Sequence, residues 1–327
     1  MQLSILDQTP VPHGSTATEA IANTIDLATH AESLGYQRYW VAEHHNSTGY
    51  AGAAPEILIG AIAAATSTIR VGSGGVMLSH YSPLKVAEVF RVLSALHPDR
   101  IDLGIGRAPG GGTAAADALA RGTAGFARDD YPALVAELEA YLAGPVGEVH
   151  ASPLDTTRPP VWMLASSATS ATLAAELGLP LAWAHFISSA DGPAAVDAYR
   201  RAFIPSSQLQ TPKVTFAVSA LAAATDDEAN RLATSVQQFK RNGFTGMLPT
   251  VAEALRQGAK IEGPHEPRIG VAPAVVGSPD KVMNQLRSLC ATYGTDDVTI
   301  VGICHDHTAR VHSHELIARG SRRDSVG

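Results

Sequence analysis

The chain has 327 residues, of which 45% are hydrophobic and 17% charged, and its formal net charge is −7. This composition predicts a well-buried globular core and excludes a disordered chain. The 24 basic residues form no run and are outnumbered by 31 acidic residues, so we expect no nucleic acid partner. The longest apolar stretch, Ile57 to Ala65, is too short to cross a membrane.

The amino terminus has no basic region followed by an apolar run, so the sequence predicts no signal peptide. Cys290 and Cys304 are the two cysteines, and neither lies in a CxxC pattern. That pattern favours reduced residues in or near the core over a disulfide. Together these features predict a soluble, cytoplasmic protein without a membrane partner.

Strand and helix patterns alternate almost from end to end. In chain order the sequence predicts strand 3–7, helix 15–34, strand 39–42, helix 55–67, strand 69–78, helix 83–96, strand 101–105, helix 132–142, strand 161–164, helix 168–177, strand 181–184, helix 193–203, strand 214–220, helix 226–241, helix 279–293, strand 298–303 and helix 307–318.

Eight strand–helix units of this kind predict an α/β fold, a (β/α)8 TIM barrel formed by one domain over residues 1–320. A doubly wound open sheet is the alternative. Insertions follow strand 4, at 108–130, and strand 7, at 243–272, where they would lie over the mouth of the barrel as substrate walls or lids. The tail, residues 321–327, is expected to be disordered.

The second predicted strand ends in Glu43, His44 and His45. The carboxyl ends of barrel strands face the pocket in which such enzymes work. Histidine titrates near neutrality, so two imidazoles there suit proton transfer. The structural alternative is a pair of hydrogen-bonded loop histidines.

The ends of the third and fourth strands are rich in glycine. The third strand contains Gly74, Gly75 and Met77, and glycine there lets a flat ligand approach the backbone or permits a simple bulge. Arg107 follows the fourth strand, and its planar guanidinium suits a phosphate group. A surface salt bridge is the alternative for this arginine.

The fifth strand ends in Ser166, Ser167 and Ser170, where a helix begins. Hydroxyls and unpaired amides at a helix start suit an anion, although ordinary capping is the alternative. Together with Arg107 they favour a cofactor that carries a phosphate. Barrel phosphate sites more often use the loops after strands seven and eight, whereas this sequence indicates strands four and five.

These motifs resemble those of the bacterial luciferase-like flavin-dependent monooxygenases, in the single-chain subgroup that includes natural-product tailoring enzymes. The resemblance covers nearly the whole chain. The segments that match in order and spacing are Glu43 to His45, Val71 to Leu78, His80 to Pro83, Leu96 to Leu103, Gly104 to Arg107 and Ser166 to Ser170.

The resemblance implies reduced FMN (FMNH2) as cosubstrate. It implies that His44 is the catalytic histidine beside the flavin, and that Arg107, Ser167 and Ser170 contact the phosphate. Ser166 stands where the luciferase subunit has a glutamate. Gly106 stands where luciferase has its reactive cysteine, so no thiol role is carried over.

The family also implies contacts to the flavin ring. Gly74 and Gly75 match a non-proline cis peptide that lies against the isoalloxazine, and Met77 and Glu43 would line the same ring. His185, after the sixth strand, falls where the luciferase subunit has an aromatic residue near the pyrimidine.

The implied activity is that of a two-component monooxygenase acting on a small organic substrate. A separate flavin reductase would supply FMNH2, and dioxygen would add to it as a C4a-hydroperoxide. His44 would shuttle one proton, with Glu43 or His45 setting its tautomer. The alternatives are a deazaflavin-dependent oxidoreductase on the same barrel and a non-catalytic flavin-binding protein.

Two further expectations concern assembly and metals. A homodimer is expected to pack through the helices at 55–67 and 83–96, after strands two and three. No metal site is expected among the histidines near the end of the chain. Asp306 is better explained as a helix cap, and His312 and His314, two residues apart, do not share a helix face.

Overall fold

The computed structural model describes residues 1–119, 131–261 and 274–323. Its strands are β1 (Gln2–Asp7), β2 (Arg38–Val41), β3 (Arg70–Ser73), β4 (Val76–Met77), β5 (Ile101–Gly106), β6 (Val161–Ala165), β7 (Leu181–Ala184), β8 (Val214–Ala222), β9 (Val275–Gly277) and β10 (Asp297–Val301).

The strands alternate with helices, and a single 3-10 turn, Leu78–His80, follows β4. The helices are α1 (Ala17–Ser33), α2 (Pro55–Ala65), α3 (Pro83–Leu96), α4 (Thr113–Leu119), α5 (Tyr131–Ala143), α6 (Ala168–Glu176), α7 (Gly192–Ala202), α8 (Asp226–Arg241), α9 (Val251–Arg256), α10 (Pro279–Tyr293) and α11 (His307–Arg323).

The named strands pair in parallel and close into a ring. The order runs β10, β1, β2, β3, β5, β6, β7 and β8, and β10 pairs with β8 to complete the circle. β3 and β4 are two parts of the third barrel strand, and β9 extends the carboxyl end of β8. The closing pair excludes the open sheet and confirms the predicted (β/α)8 barrel.

Local sequence signals set several helix ends. Thr16 caps α1 in a reciprocal capping box, in which the Glu19 amide donates to the Thr16 hydroxyl at 3.1 Å and the Thr16 amide donates to the Glu19 carboxylate at 2.8 Å. Pro83 occupies the first turn of α3, where its missing N–H costs nothing. Gly294 ends α10 in the left-handed conformation, with φ of 59°.

The structure differs from the sequence expectations at three places. The third strand, predicted as continuous over 69–78, is divided at Gly74 and Gly75. The second insertion contains α9, and β9 follows it; the pattern predicted neither, and residues 120–130 and 262–273 lie outside the described part. α11 continues to Arg323, and Ser321 is buried with its hydroxyl donating to the Met1 carbonyl at 3.2 Å. The predicted disorder therefore does not begin at residue 321, and residues 324–327 lie outside the described part.

Side chains alternate between two cores because successive strand residues point to opposite faces. The barrel interior holds a small cluster of Leu6, Trp40, Ala42, Trp162, Ala182, Ala217 and Val301. A larger core fills the layer between the strands and the helices, and includes Ile5, Tyr39, Val71, Trp183 and Phe216. Whether a residue has an odd or an even position along its strand, its parity, therefore determines whether its side chain packs in the barrel interior or against the helices.

Charged side chains fill the amino-terminal mouth of the barrel. Arg38 donates to both carboxylate oxygens of Asp297 at 2.9 Å, and Arg70 binds Asp102 at 2.6 Å. The Arg38 guanidinium also lies 4.9 Å from the centre of the Trp162 ring. These charged groups form ion pairs with one another, and the ion pairs stabilise this end of the barrel.

A second buried charge network joins the first strand to the last helix. The fully buried carboxylate of Asp7 accepts from the Arg310 guanidinium, from the Tyr39 hydroxyl and, at 2.8 Å, from the Thr24 hydroxyl. The Thr9 amide adds a hydrogen bond of 2.7 Å. These contacts fix β1, β2, α1 and α11 together. Among the described helices, none combines the length and the apolar character that crossing a membrane requires.

Candidate active site

The carboxyl ends of the strands form the opposite mouth, and His44 lies there on the interior side of β2. Trp40 and Ala42 belong to the interior cluster, and His44 is the next residue of the same parity. Its backbone N–H donates to the Gly52 carbonyl at 2.8 Å, which fixes the loop that follows the strand. Parity therefore directs the His44 side chain to the interior side of the barrel.

The His44 imidazole stacks on the ring of Tyr50, with centroids 4.3 Å apart and planes inclined by 24°. Its Nδ1 is buried and has no hydrogen-bond partner among the residues that the structure describes. Burial, and secondarily the neighbouring His45, lower the pKa of His44 to about 4. The ring is therefore neutral at physiological pH.

Glu43 lies at the centre of a separate hydrogen-bond group. Its carboxylate is 1% exposed, accepts from the Tyr81 hydroxyl at 2.7 Å and lies 2.6 Å from Nε2 of His45. Its second oxygen accepts from the backbone N–H of Met77 at 3.0 Å. Glu43 thus fixes the backbone that follows the two glycines.

This arrangement corrects one expectation about His44. Neither the Glu43 carboxylate nor the His45 ring makes a hydrogen bond to the His44 imidazole in the structure. The expectation that one of them sets the tautomer of His44 is therefore wrong. Glu43 and His45 have the opposite parity to His44, and both contact the Tyr81 hydroxyl instead.

Backbone contacts bring the loop after β5 to the same place. The His45 amide donates to the Gly110 carbonyl at 2.8 Å, and Nε2 of His80 lies 2.9 Å from the Pro109 carbonyl oxygen. The rings of His45 and His80 meet edge to face at 6.2 Å. The second and fourth strand ends, which are far apart in sequence, therefore form one surface with Arg107.

The glycines of β3, β4 and β5 lie where no side chain fits. A Cβ atom on Gly75 would lie 2.6 Å from the Gly104 carbonyl oxygen, and one on Gly104 would overlap the Ser73 carbonyl oxygen. A Cβ on Gly74 would overlap the Leu6 side chain. The peptide bond between Gly74 and Gly75 is cis, as the resemblance implied. These glycines therefore allow the neighbouring strands and the Leu6 side chain to approach the backbone closely.

Arg107 and the serines of β6 are neighbours through strand register. Ile105 pairs with Met163, so Arg107 stands beside the start of the 166–170 segment. Arg107 is exposed, and within the described ranges its guanidinium makes no hydrogen bond or ion pair. A cation without a partner at this edge is available to a phosphate.

The serines form the start of α6. Ser167 is the N-cap residue, and its hydroxyl accepts from the Ser170 amide at 3.4 Å and lies 3.3 Å from the Ser170 hydroxyl. These bonds are long, so both hydroxyls can turn to an anion at little cost. Ser166 is exposed one residue earlier. The residues present therefore fit a phosphate group.

His185 differs from its expected role. Its Nδ1 lies 2.8 Å from the Tyr293 hydroxyl, and its ring packs edge to face against Tyr293 and Phe216 of the outer core. Its parity is that of Trp183, which also faces outward. Phe186 packs against the interior cluster instead. His185 thus packs against the outer core, whereas Phe186 is the residue at the end of β7 that faces the interior cluster, as strand parity indicates.

The histidines near the carboxyl terminus are separated in the structure. Nε2 of His307 binds Asp26 at 2.7 Å, and His314 is buried against Tyr36. The Asp306 carboxylate accepts from the Ala309 amide at 2.7 Å, so it caps α11 as expected. Among the described residues, no three potential metal ligands lie together.

Comparison with known proteins identifies the family. The luciferase-like monooxygenase family matches residues 1–296. A luciferase-like monooxygenase of Escherichia coli K12 is 41% identical over 318 residues, which cover 96% of this chain and 95% of that protein. The N-acetyl-S-alkylcysteine monooxygenase of Bacillus subtilis is 35% identical and covers 97% of each chain. The crystal structure of apo-MsnO8 is 42% identical, with a TM-score of 0.90 and 98% coverage of both chains.

The chain therefore belongs to the luciferase-like monooxygenase family, and the protein is a flavin-dependent monooxygenase. More distant structures share the fold alone. They include the oxygenating constituent of 3,6-diketocamphane monooxygenase in complex with FMN, at 21% identity and a TM-score of 0.72. They also include a coenzyme F420-dependent reductase, at 16% identity and a TM-score of 0.65.

Proposed function

We propose that the protein is the oxygenating component of a two-component monooxygenase that uses reduced FMN supplied by a separate reductase. The observation that carries this proposal is the pair Gly74 and Gly75, which have no side chains, on the strand beside Arg107, whose guanidinium makes no hydrogen bond or ion pair among the described residues. A planar ring and a phosphate need these two features next to each other. Membership of the family supports the same cofactor.

The residues would divide the binding of FMN between two regions. The ring would lie against Gly74, Gly75 and Met77, and Phe186 would border it from the interior cluster. The phosphate would accept hydrogen bonds from Arg107 and from the serine hydroxyls at the start of α6. The choice of FMN over coenzyme F420 rests on the FMN complex of the related oxygenating constituent, because the phosphate contacts would suit either cofactor.

The remaining groups would control protons and water. Reduced FMN, when bound, supplies the electrons for the reaction with dioxygen. The neutral His44 imidazole carries one donor and one acceptor, so it can hold or pass a proton beside the ring. Tyr50, Phe239 and Leu248 exclude water behind it. The Glu43 group would keep the Met77 backbone in register with the ring.

The substrate is proposed to be a small organic molecule, and the resemblance to natural-product tailoring enzymes supports an intermediate of that kind. The Bacillus subtilis relative is named for N-acetyl-S-alkylcysteine, so thioethers are a reasonable first panel. Substrate oxygenation and flavin oxidation can be measured apart, which separates a monooxygenase from a protein that only binds flavin.

We also propose a cytoplasmic homodimer. Ile57 on α2 and Leu96 on α3 are 71% and 65% exposed, and Val92 adds to the same outer face. Alanines on α2 leave this face flat, which allows close helix contact. Such a patch on adjacent helices marks a protein interface more often than open surface.

The decisive experiment compares wild type with His44→Ala under a reductase that delivers FMNH2. His44→Ala should keep FMN affinity within about tenfold, while product formation falls by about 10²–10⁴, the usual contribution of an acid–base group. Hydrogen peroxide should appear in place of product. Full product per flavin oxidised in the variant would overturn the role of His44. Turnover with coenzyme F420 and none with FMN would overturn the cofactor.

A further inference from the structure

Tyr50 is the residue that most closely constrains His44. Its ring lies parallel to the imidazole at 4.3 Å, and its other neighbours are aromatic. Phe239 meets Tyr50 edge to face at 5.4 Å, and Phe244 lies at 6.4 Å. With the buried Leu248 these residues form a rigid apolar support behind the catalytic histidine.

The backbone holds Tyr50 in place from both sides. Tyr50 forms an antiparallel bridge with Pro10, and its amide donates to the Ser47 hydroxyl at 3.2 Å. A Cβ atom on the preceding Gly49 would lie 2.6 Å from the Phe239 ring, so the segment is packed tightly onto α8. The position of the Tyr50 ring is therefore fixed by the fold and does not depend on a ligand.

The ionisable groups around His44 offer no counter-charge. The Glu43 carboxylate is committed to Tyr81, His45 and the Met77 amide. His45 opposes a second positive charge. On α8, Lys240 follows Phe239 and has a pKa lowered by burial. A proton on the His44 ring would thus find no carboxylate to stabilise it.

We propose that Tyr50 is the positioning residue of His44: its stacked ring, and not a carboxylate, fixes the plane of the imidazole and keeps it neutral. The aromatic face shields one side of the imidazole from water and prevents its rotation. Because Nδ1 is buried without a hydrogen-bond partner among the described residues, the stacked ring and not a hydrogen bond to that nitrogen holds the imidazole. This inference rests on the proposed catalytic role of His44, although the state of the ring can be measured without flavin.

The test follows the His44 ring by NMR in protein labelled at histidine, with His44→Gln to assign the signal. Three substitutions remove successively more of the Tyr50 side chain: Tyr50→Phe, Tyr50→Leu and Tyr50→Ala. The wild-type ring should titrate near 4. Tyr50→Phe should leave that value unchanged. Tyr50→Ala should raise the pKa of His44 by at least about one unit toward the ordinary histidine value of 6.5, which is a tenfold change in proton affinity. Tyr50→Leu should give a value between those of Tyr50→Phe and Tyr50→Ala.

Tyr199→Leu serves as the matched control, because Tyr199 is an equally buried tyrosine whose hydroxyl binds the Leu179 carbonyl in the outer core. It should destabilise the fold without moving the His44 signal. An unchanged His44 titration in Tyr50→Leu would overturn the proposal, and this variant decides if Tyr50→Ala does not fold. A shift in Tyr50→Phe as large as in Tyr50→Leu would overturn it too.

Coupled turnover provides the second readout. The acid limb of the pH profile for product per flavin oxidised should move with the His44 titration across the series. If the titration moves while His44→Ala retains full coupling, the positioning role stands and the proposed function fails. If His44→Ala uncouples turnover and the His44 titration does not move in the Tyr50 variants, the proposed function stands and the positioning role of Tyr50 fails.

Discussion

Arg107 is the residue at which the proposed cofactor can be tested with least disturbance to the fold. Its side chain is exposed and, within the described ranges, makes no hydrogen bond or ion pair. Arg107→Ala should therefore change the free energy of unfolding by less than about 0.5 kcal/mol, as for an ordinary surface substitution. Any loss of FMN affinity can then be assigned to the lost contact.

The size of that loss follows from the kind of contact. One charge-assisted hydrogen bond to a phosphate contributes about 1.5–3 kcal/mol, so the dissociation constant for FMN should rise about 10- to 150-fold. Riboflavin lacks the phosphate and should bind wild type and variant alike. The long bonds between Ser167 and Ser170 allow these hydroxyls to keep part of the phosphate affinity, so binding should weaken without disappearing.

Fluorescence titration with FMN and riboflavin measures both ligands on the same protein. Arg201→Ala is the control, because Arg201 is also exposed but lies at the end of α7. It should leave both affinities unchanged. Equal losses of FMN and riboflavin affinity in Arg107→Ala would refute the phosphate role, and unchanged FMN affinity would refute it as well.

Three other predictions test the packing, the pH dependence and the assembly. Gly104→Ala should lower the free energy of unfolding by about 1–3 kcal/mol, because the new Cβ overlaps a backbone carbonyl. Gly106→Ala should be tolerated, because the atom nearest to its new Cβ is 3.9 Å away. Thermal melts of the two variants test this difference. His314 is 1% exposed, and burial lowers its pKa to about 3. Below pH 6.5, the ordinary pKa of histidine, the unfolded chain therefore binds more protons at this residue than the folded chain does. Stability should fall as the pH drops from 6.5, by up to about 1.4 kcal/mol per pH unit. Urea unfolding at pH 7 and pH 5 should show a weaker dependence in His314→Gln than in wild type. Leu96→Lys places a charge in the exposed α2–α3 patch and should give a monomeric mass by light scattering where wild type gives a dimer; a monomeric wild type would contradict the assembly.

Strand periodicity predicted most of the fold, and its failures have local causes. The eight barrel strands were visible because buried apolar runs alternate with helical patterns. β9 was not predicted because it has three residues, Val275–Gly277, beside a segment rich in glycine and proline. The end of α11 was set too early, since Gly320 resembles a helix terminator. A contact between Ser321 and the first residue of the chain keeps the helix intact there.

The candidate site was predicted in position and only partly in contacts. The resemblance to the family assigned His44 to the flavin side, and its parity with Trp40 and Ala42 gives the same side of β2. At the end of β7 position matching indicated His185, whereas Phe186 is the residue that packs against the interior cluster. The contact of Glu43 with Tyr81 and with the Met77 amide depends on the interruption of the third barrel strand at the two glycines, which a one-dimensional pattern does not contain.

The two mouths of the barrel use polar groups in opposite ways. At the amino-terminal mouth Arg38 donates hydrogen bonds to Asp297, and this ion pair stabilises that end of the barrel. At the carboxyl-terminal mouth the Arg107 guanidinium and Nδ1 of His44 have no partner among the described residues. A buried polar atom without a partner costs about 1–3 kcal/mol, so the sequence retains it where a ligand completes the bond. For Nδ1 of His44 that cost falls at the end of the barrel where the flavin and the substrate are proposed to bind.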